Sequence, residues 1–128
     1  MSDLTFGLKS EMECFPLFKT IDADLQKLDK YNKFDFGSAI TAIELKTRRF
    51  HKSKYPTTIV GADKIDYIKS NPHKTYYFAF CFTDGLFVIE YETELFATFK
   101  RSSCYRADRG SSMEVVEIPI NILRKISA

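Results

Sequence analysis

The sequence lacks tryptophan and any long hydrophobic run, and it has only three cysteines. No apolar stretch approaches the roughly 18 residues that a membrane-spanning helix needs, so we expect no membrane contact. The first residues contain neither a basic segment nor an apolar segment after it, and we therefore expect no signal peptide. Cys14, Cys81 and Cys104 match no zinc spacing and no disulfide framework, which indicates free thiols in a reducing, cytoplasmic or otherwise intracellular compartment.

Glycine and proline are also scarce, with five and four residues among 128. The chain has no linker rich in either residue, no internal repeat and no low-complexity tract. Its length is enough for one domain of common size and not for two, so residues 1–128 are interpreted as a single domain. Apolar residues make up 45% of the chain, which argues against disorder, and twelve Phe with seven Tyr indicate a core of aromatic strands.

The chain carries almost no net charge, +2 at neutral pH, but the charge is unevenly distributed. Residues 1–45 carry five basic and eight acidic groups, and residues 76–128 carry six basic and seven acidic groups. Residues 46–75, in contrast, carry eight basic and two acidic groups. A local basic surface of this kind suits a polyanionic partner, although a solvated basic loop has the same composition.

The start of the chain has helical periodicity. Leu8, Met12 and Phe15 recur at helical spacing and predict one apolar stripe, and Pro16 is expected to end or kink this helix because it lacks an N–H. A second helical piece is predicted over residues 22–30, with an N-cap at its first residue.

A pair of strands is predicted next, over residues 31–36 and 40–46, with the turn at Gly37 and Ser38. Alternation places Phe34 and Phe36 on one face of the first strand and Asp35 on the other. In the second strand it separates the face of Ile43 and Leu45 from that of Glu44 and Lys46. Asp35 lies on the same face as Glu44 and Lys46 only if the hairpin loop has an even number of residues. A tight two-residue loop would also leave Asp35 about four positions from the register of Glu44. A longer loop, a bulge or strand divergence would bring the two acids together.

The remaining pattern completes a mixed α/β or α+β domain. It predicts a loop over 47–61, a helix over 62–70, strands over 75–82 and 86–91 joined by a tight turn, and an ambiguous segment over 92–99. A polar loop over 100–112, a strand over 115–118 and a short terminal helix or turn over 119–126 follow.

The charged residues of the hairpin suggest chemistry on a phosphodiester. Carboxylate oxygens hold Mg²⁺ loosely enough to leave waters and a substrate phosphate in its shell. In this hypothesis Asp35, Glu44 and the main-chain carbonyl of Leu45 bind the cation. Lys46 orients or activates the attacking water, or neutralises charge that develops at the phosphate. The alternative is an exposed strand face with ordinary charges.

A basic segment with interleaved aromatic residues follows at residues 47–55. Its cations would contact phosphates and position a nucleic acid without reading sequence. Phe50 and Tyr55 either stack on a base or sugar or pack against the domain. The predicted phosphate contacts are Arg48, Arg49, Lys52 and Lys54, with Lys64 on the next helix as an extension of the same surface.

Residues 31–36, Tyr-Asn-Lys-Phe-Asp-Phe, followed by residues 43–48, Ile-Glu-Leu-Lys-Thr-Arg, resemble the motif of the PD-(D/E)XK nuclease superfamily. On this resemblance the motif acid is Asp35 and the acid-x-lysine element is Glu44 with Lys46. Phe34 stands where the family name has proline. The resemblance covers roughly residues 7–80 and implies a restriction-endonuclease-like fold: a mixed β-sheet flanked by helices, built from a helix, three strands, a helix and a final strand.

Many members of this superfamily place a further acid on the first helix, within Gly-x-x-x-Glu. Gly7 and Glu11 have that spacing, and Glu11 falls on the predicted inward stripe. The resemblance therefore implies that Glu11 binds the metal or supports a ligand of it. An acid near an apolar stripe also often lies at its edge and reaches water, and Glu13 is the second choice if the helix begins elsewhere.

Together these observations predict an endonuclease that uses Mg²⁺ or Mn²⁺ to hydrolyse DNA, duplex or branched, with RNA not excluded. The resemblance implies a homodimer, because small nucleases of this kind often act as dimers. The alternatives are a nucleic-acid-binding or interaction module that keeps the fold without catalysis, and a structural subunit of a larger enzyme. A compact domain without a target-recognition region fits a phage, viral or mobile-element protein acting inside the host cell.

Overall fold

The computed structural model describes residues 3–106 and 110–126, with side chains except at residues 3–6, 8 and 106. The helices are α1 (Asp3–Phe18), α2 (Ala62–Ser70) and α3 (Thr93–Ala97), with single 3₁₀ turns at Lys52–Lys54 and Ile120–Ile122. The strands are β1 (Gln26–Lys27), β2 (Phe36–Gly37), β3 (Thr41–Thr47), β4 (Thr57–Gly61), β5 (Thr75–Phe82), β6 (Gly85–Glu90), β7 (Arg101–Arg106), β8 (Ser111–Pro119) and β9 (Arg124–Lys125).

Within the described ranges the strands form two sheets, and the chain is a mixed α+β protein. The larger sheet has the order β1-β2-β3-β5-β6-β9, and the smaller one has the order β4-β8-β7. Strands β3 and β5 pair in parallel, while their other neighbours pair antiparallel. The connection from β3 to β5 runs through β4 and α2. No helix in the part of the chain described here is long and apolar enough to cross a membrane.

The larger sheet is covered on both faces. Cys14 and Phe18 of α1 pack against Ile43 and Leu45 of β3 in one hydrophobic cluster. A second cluster contains Ala42 of β3 together with residues of α2 and the smaller sheet. Because successive strand residues point to opposite faces, Glu44 and Lys46 lie on the α2 side with Ala42. The predicted alternation of this strand is confirmed.

Helix α1 differs from its prediction in length and in orientation. It continues two residues past Pro16, whose ring is exposed, so the missing N–H costs one bond near the helix end. Met12 was predicted to point inward but is 79% exposed. The buried positions among the described side chains of α1 are Ser10, Cys14 and Phe18, each four residues from the next. Of the predicted stripe, the side chain of Leu8 lies outside the described part of the chain.

The helix predicted over residues 22–30 is absent from the structure, and β1 takes its place. Asp22 does not cap a helix: its Oδ1 accepts the Asp24 N–H at 2.9 Å, and its Oδ2 accepts the Ser38 hydroxyl at 2.6 Å. Leu25 is fully buried, and the next two residues pair with β2. Local propensity is a weak prior, and here strand pairing and the burial of one leucine outweigh it.

The hairpin turn lies two residues later than predicted. The Ser38 N–H donates to the Thr41 carbonyl at 2.8 Å, which leaves Ala39 and Ile40 as the loop. The Ser38 hydroxyl accepts the N–H groups of Ile40 and Thr41, so a serine side chain stabilises a turn that has no glycine. Gly37 belongs to β2, where an added Cβ would lie 2.9 Å from a methyl carbon of Leu28.

The remaining predictions are confirmed in part. Helix α2 and strand β5 have the predicted bounds, and α3 resolves the ambiguous segment as a short helix. The loop predicted over 47–61 is wrong in its last five residues, which form β4. The loop predicted over 100–112 contains β7 and the start of β8, while residues 107–109 of that prediction lie outside the described ranges. The terminal segment forms a 3₁₀ turn and β9.

Candidate functional site

The shifted turn sets the position of Asp35, and a β-bulge lies at this residue. Phe36 pairs with Ile43 in the ladder, and the Asp35 N–H donates to the same Ile43 carbonyl at 3.1 Å. Asp35 and Phe36 therefore both lie opposite Ile43, and the extra residue breaks the alternation of side chains along this strand. Phe34 and Phe36, predicted to share a face, accordingly belong to the hydrophobic clusters on opposite sides of the sheet. The shifted turn pairs Phe36 with Ile43, and the next position of that register places Asp35 beside Glu44.

The carboxyl groups of Asp35 and Glu44 are in direct contact. Asp35 Oδ2 accepts the main-chain N–H of Leu45 at 2.8 Å, which fixes the Asp35 side chain against β3. The Glu44 carboxyl, when protonated, donates a hydrogen bond to the Asp35 carboxylate. Asp35, directly before β2, and Glu44 of β3 thus form one acidic pair.

Glu44 is a buried acid whose environment disfavours its charge. It is 6% exposed, and the pKa of its carboxyl is raised from its ordinary 4.5 to about 7. Burial is the largest cause, followed by the hydrogen bond to Asp35 and by repulsion from that carboxylate. The positive charges of Lys46 and Lys64 act in the opposite direction and lower this pKa.

Lys64 of α2 reaches the acidic pair. Its Nζ lies 3.0 Å from Glu44 Oε2, and it also donates a hydrogen bond to the carbonyl of Lys33. Apart from this ion pair, the buried Glu44 Oε2 has no hydrogen-bond partner among the described residues. Lys64, predicted as a phosphate contact, is thus placed inside the site, where its side chain is 20% exposed.

Removing the Lys64 charge should raise the pKa of Glu44 further. We expect Lys64→Gln to shift the Glu44 titration upward by roughly one unit, because an ion pair at this distance favours the charged carboxylate. The titration can be followed by ¹³C NMR of the side-chain carboxyl. Lys69→Gln, an exposed change on the same helix, is the control and should leave the midpoint unchanged. Equal shifts in both variants would show that the ion pair does not set this pKa.

Glu11 makes no contact with the acidic pair among the described residues. Its Oε2 forms an ion pair with Lys27 Nζ at 2.8 Å. Within residues 3–106 and 110–126, no three His, Cys, Asp or Glu side chains are grouped as a metal site. A role for Glu11 as a third ligand therefore stays a prediction. Glu13, the second choice, is exposed and lies 3.8 Å from Lys9.

Two cavities flank Lys46. The first, called here the Glu11 cavity, has a volume of about 390 Å³ and is lined by Gly7, Glu11, Leu45, Lys46, Thr47, Arg48 and Arg49. The second, called here the aromatic cavity, has a volume of about 450 Å³ and lies between the basic segment and the smaller sheet. Lys46 and Arg48 line both, so the two cavities meet at these residues.

The predicted phosphate contacts are not all equally placed. Arg48 is half-buried, and its Nη2 donates to the Ile59 carbonyl at 3.3 Å, whereas Arg49 is exposed and lines the Glu11 cavity. Lys52 lines the aromatic cavity, with its Nζ 5.0 Å from the centre of the Phe87 ring. Lys54 is exposed beside the same cavity. The structure thus brings the two arginines next to Lys46 and spreads the two lysines along the aromatic cavity.

Sequence reasoning missed two features of this region. Lys27 was placed in a helix, so its ion pair with Glu11 was not foreseen, and no local signal marks it. The walls that β4 and β8 give the aromatic cavity were also missed. A sequence signal for β4 does exist, because residues 57–60, Thr-Thr-Ile-Val, are all β-branched and favour a strand.

Comparison of the chain with protein-family models, with curated proteins and with solved structures gave no match. The acidic pair and its neighbours therefore carry the functional argument.

Proposed function

We propose that this protein is a metal-dependent nuclease of the PD-(D/E)XK superfamily, with a restriction-endonuclease-like fold, that hydrolyses phosphodiester bonds in DNA. One observation carries the proposal: the carboxyl group of Asp35, directly before β2, meets that of Glu44 in β3, and Lys46 lies on the Glu44 face of β3. Paired carboxylates beside a lysine are a set of groups suited to phosphodiester hydrolysis.

The order of elements supports the same family. Helix α1 precedes three antiparallel strands, β1, β2 and β3, and the chain then passes through α2 to β5, which is parallel to β3. A helix, three strands, a helix and a final strand is the core that the sequence resemblance implies. The acid-x-lysine element lies in the third of these strands, and Asp35 directly precedes the second.

The acidic pair fits a divalent cation. Two carboxyl groups in contact repel each other when both are ionised, and Glu44 Oε2 is buried without a hydrogen-bond partner among the described residues. A cation of the Mg²⁺ or Mn²⁺ type satisfies such an oxygen and lets both groups ionise. Asp35, Glu44 and the Leu45 carbonyl would hold it, with Glu11 as the proposed further acid. When bound, this cation supplies Lewis acidity and lowers the pKa of a coordinated water.

The protein's own side chains contribute positioning and charge. Lys46 places an ammonium group at the junction of the two cavities, where it neutralises negative charge that develops on the reacting phosphate. Arg48, fixed on the Ile59 carbonyl, and Arg49 contact the neighbouring phosphates of the backbone. Asp35 is held by the Leu45 N–H, so its carboxylate stays oriented toward Glu44.

A second candidate is a binding module that keeps this fold without catalysis. The observation in its favour is the ion pair of Lys64 with Glu44, because a fixed ammonium group competes with a metal for the same carboxylate. DNA is the proposed partner of either form, with RNA as the other nucleic acid to test. A homodimer, which would place two sites on opposite strands, remains part of the proposal.

Lys46→Ala should reduce the cleavage rate by about a hundredfold, because removing one positioned charge that stabilises the transition state typically lowers the rate by about that factor. The assay compares supercoiled, linear, single-stranded and junction DNA, and a matching RNA strand, with Mg²⁺, Mn²⁺ or EDTA. Lys100→Ala, an exposed lysine away from the site, is the matched control and should cut like wild type. Absence of metal-dependent cleavage on every substrate would favour the binding module. Unchanged cleavage by Lys46→Ala would remove this lysine from the mechanism.

A further inference from the structure

The aromatic cavity is lined in part by Lys46 and has no role in the chemistry described so far. Its volume of about 450 Å³ falls within the range of about 300–1,000 Å³ that small-molecule sites occupy. Val60 of β4 and Val115 of β8, both buried, line the side formed by the smaller sheet. The cavity therefore has walls formed by both sheets and by the basic segment.

Aromatic side chains line the opposite side of this cavity. The Phe50 ring meets the Tyr55 ring edge to face with centroids 5.3 Å apart, and it lies 6.1 Å from the Phe82 ring. Phe82 is buried beneath Phe50, whereas Tyr55 is 50% exposed. Tyr55 thus offers ring surface on which a planar ligand can stack.

Cations surround these rings. Lys46, Arg48 and Lys52 line the cavity, and Lys54 Nζ lies 5.4 Å from the Phe50 ring and 5.5 Å from the Tyr55 ring. Aromatic faces alternating with cations form the usual site for a single nucleic-acid strand, because bases stack on the rings while phosphates meet the charges. An uncharged apolar ligand would gain nothing from these cations.

The position of Lys46 connects the cavity to the reaction. Lys46 lines the aromatic cavity as well as the Glu11 cavity, so a nucleotide whose phosphate contacts Lys46 has its base at the mouth of the aromatic cavity. A duplex with its bases paired and stacked cannot place a base there, whereas an unpaired base can enter.

We propose that the aromatic cavity binds one unstacked nucleobase of the nucleotide next to the scissile phosphate. The substrate class is then DNA with unpaired nucleotides, single-stranded or branched, and not continuous duplex. This inference rests on the proposed function, because the reacting phosphate is what places the base at Lys46.

The test measures binding without cleavage. The full-length protein in EDTA is titrated with a short single-stranded DNA that carries one 2-aminopurine, and with the blunt duplex of the same sequence. We expect the single strand to bind about 10-fold more tightly than the duplex, and its fluorescence to change on stacking. Tyr55→Ala should weaken single-strand binding by about 10-fold. Tyr31→Ala, which removes a tyrosine that is 86% exposed outside both cavities, should bind like wild type.

The outcomes separate the two proposals. Equal affinity for single strand and duplex, or wild-type affinity in Tyr55→Ala, would overturn base binding even if metal-dependent cleavage is present. The protein could also bind single strands in a way that Tyr55→Ala weakens and yet cut no substrate with any metal. That result would support the cavity assignment and refute the nuclease activity. Because Tyr55 is half exposed, its truncation is not expected to unfold the domain.

Discussion

Glu44→Gln is expected to reduce metal-dependent DNA cleavage by roughly a thousandfold, the largest effect of any substitution considered. Glutamine has the size of glutamate and can still occupy the buried position, but it cannot supply a negative charge to a cation. The pair then has only the Asp35 carboxylate, and the charge that fixes the metal beside Lys46 is halved. Initial rates on single-stranded and junction DNA with Mg²⁺ give the comparison.

The control for this substitution is Glu90→Gln, the same change at an exposed position of β6. It should retain wild-type cleavage. Asp35→Asn should lose activity like Glu44→Gln, although it also weakens the contact that holds Asp35 on the Leu45 N–H. A folded Glu44→Gln protein that keeps more than about a tenth of the wild-type rate would show that another site cuts the DNA.

The second large effect is a loss of stability as the pH rises. A folded-state pKa of about 7 for Glu44, against its ordinary 4.5, means that the folded chain binds this proton more tightly than the unfolded chain. The resulting stability is present in full below pH 4.5 and is lost as the pH rises through 7. For a group as buried as Glu44, the loss amounts to roughly 3 kcal/mol in the absence of divalent cations. Urea unfolding in EDTA at a series of pH values measures it.

Comparison with Glu44→Gln isolates this effect from other titrations. The pKa of Asp22 is lowered by its hydrogen bond from Ser38, and that of Asp84 by its bond from the Lys52 N–H. Both groups contribute stability that is lost as the pH falls, the opposite direction, and both are present in the variant. The difference between wild type and Glu44→Gln should therefore grow between pH 4.5 and 7 in favour of the variant. A constant difference across this range would mean that Glu44 is not buried as a neutral acid.

Segments with a strong local period were predicted well. Helix α2 has the predicted bounds because Ile65 and Ile68 fall on one helical face and Pro72 stops the helix soon after. Strand β5 was equally clear, since its aromatic residues favour a buried strand. In both segments local preference and tertiary burial agree.

Segments that depend on distant contacts were predicted poorly. Gly37 looked like a turn residue, but its lack of a Cβ serves the close approach of Leu28 instead. The turn is made by Ser38, whose hydroxyl also donates to Asp22, 16 residues away. No local pattern contains such a contact, so the turn and the preceding segment were both misplaced.

In the candidate site, too, the features set by local sequence were predicted and those set by distant contacts were not. The alternation that separates Glu44 from Leu45 is local and was predicted, whereas the register that brings Asp35 to Glu44 depends on a turn two residues later than the predicted one. The Lys64–Glu44 ion pair joins α2 to β3 and could not be read from spacing. Glu11 has the spacing of a family motif, but its nearest charge is Lys27, from a segment that was assigned the wrong structure.

The central claim is that Asp35 and Glu44 together form a divalent-cation site, and thermal unfolding with Mn²⁺ at pH 8 tests it most directly. A cation that binds only the folded chain raises its melting temperature, and at a high multiple of the dissociation constant the rise is on the order of 5 °C or more. We predict this rise for wild type and for Glu90→Gln, and its absence in Glu44→Gln and Asp35→Asn. An equal rise in all four proteins, or no rise in wild type, would contradict the claim.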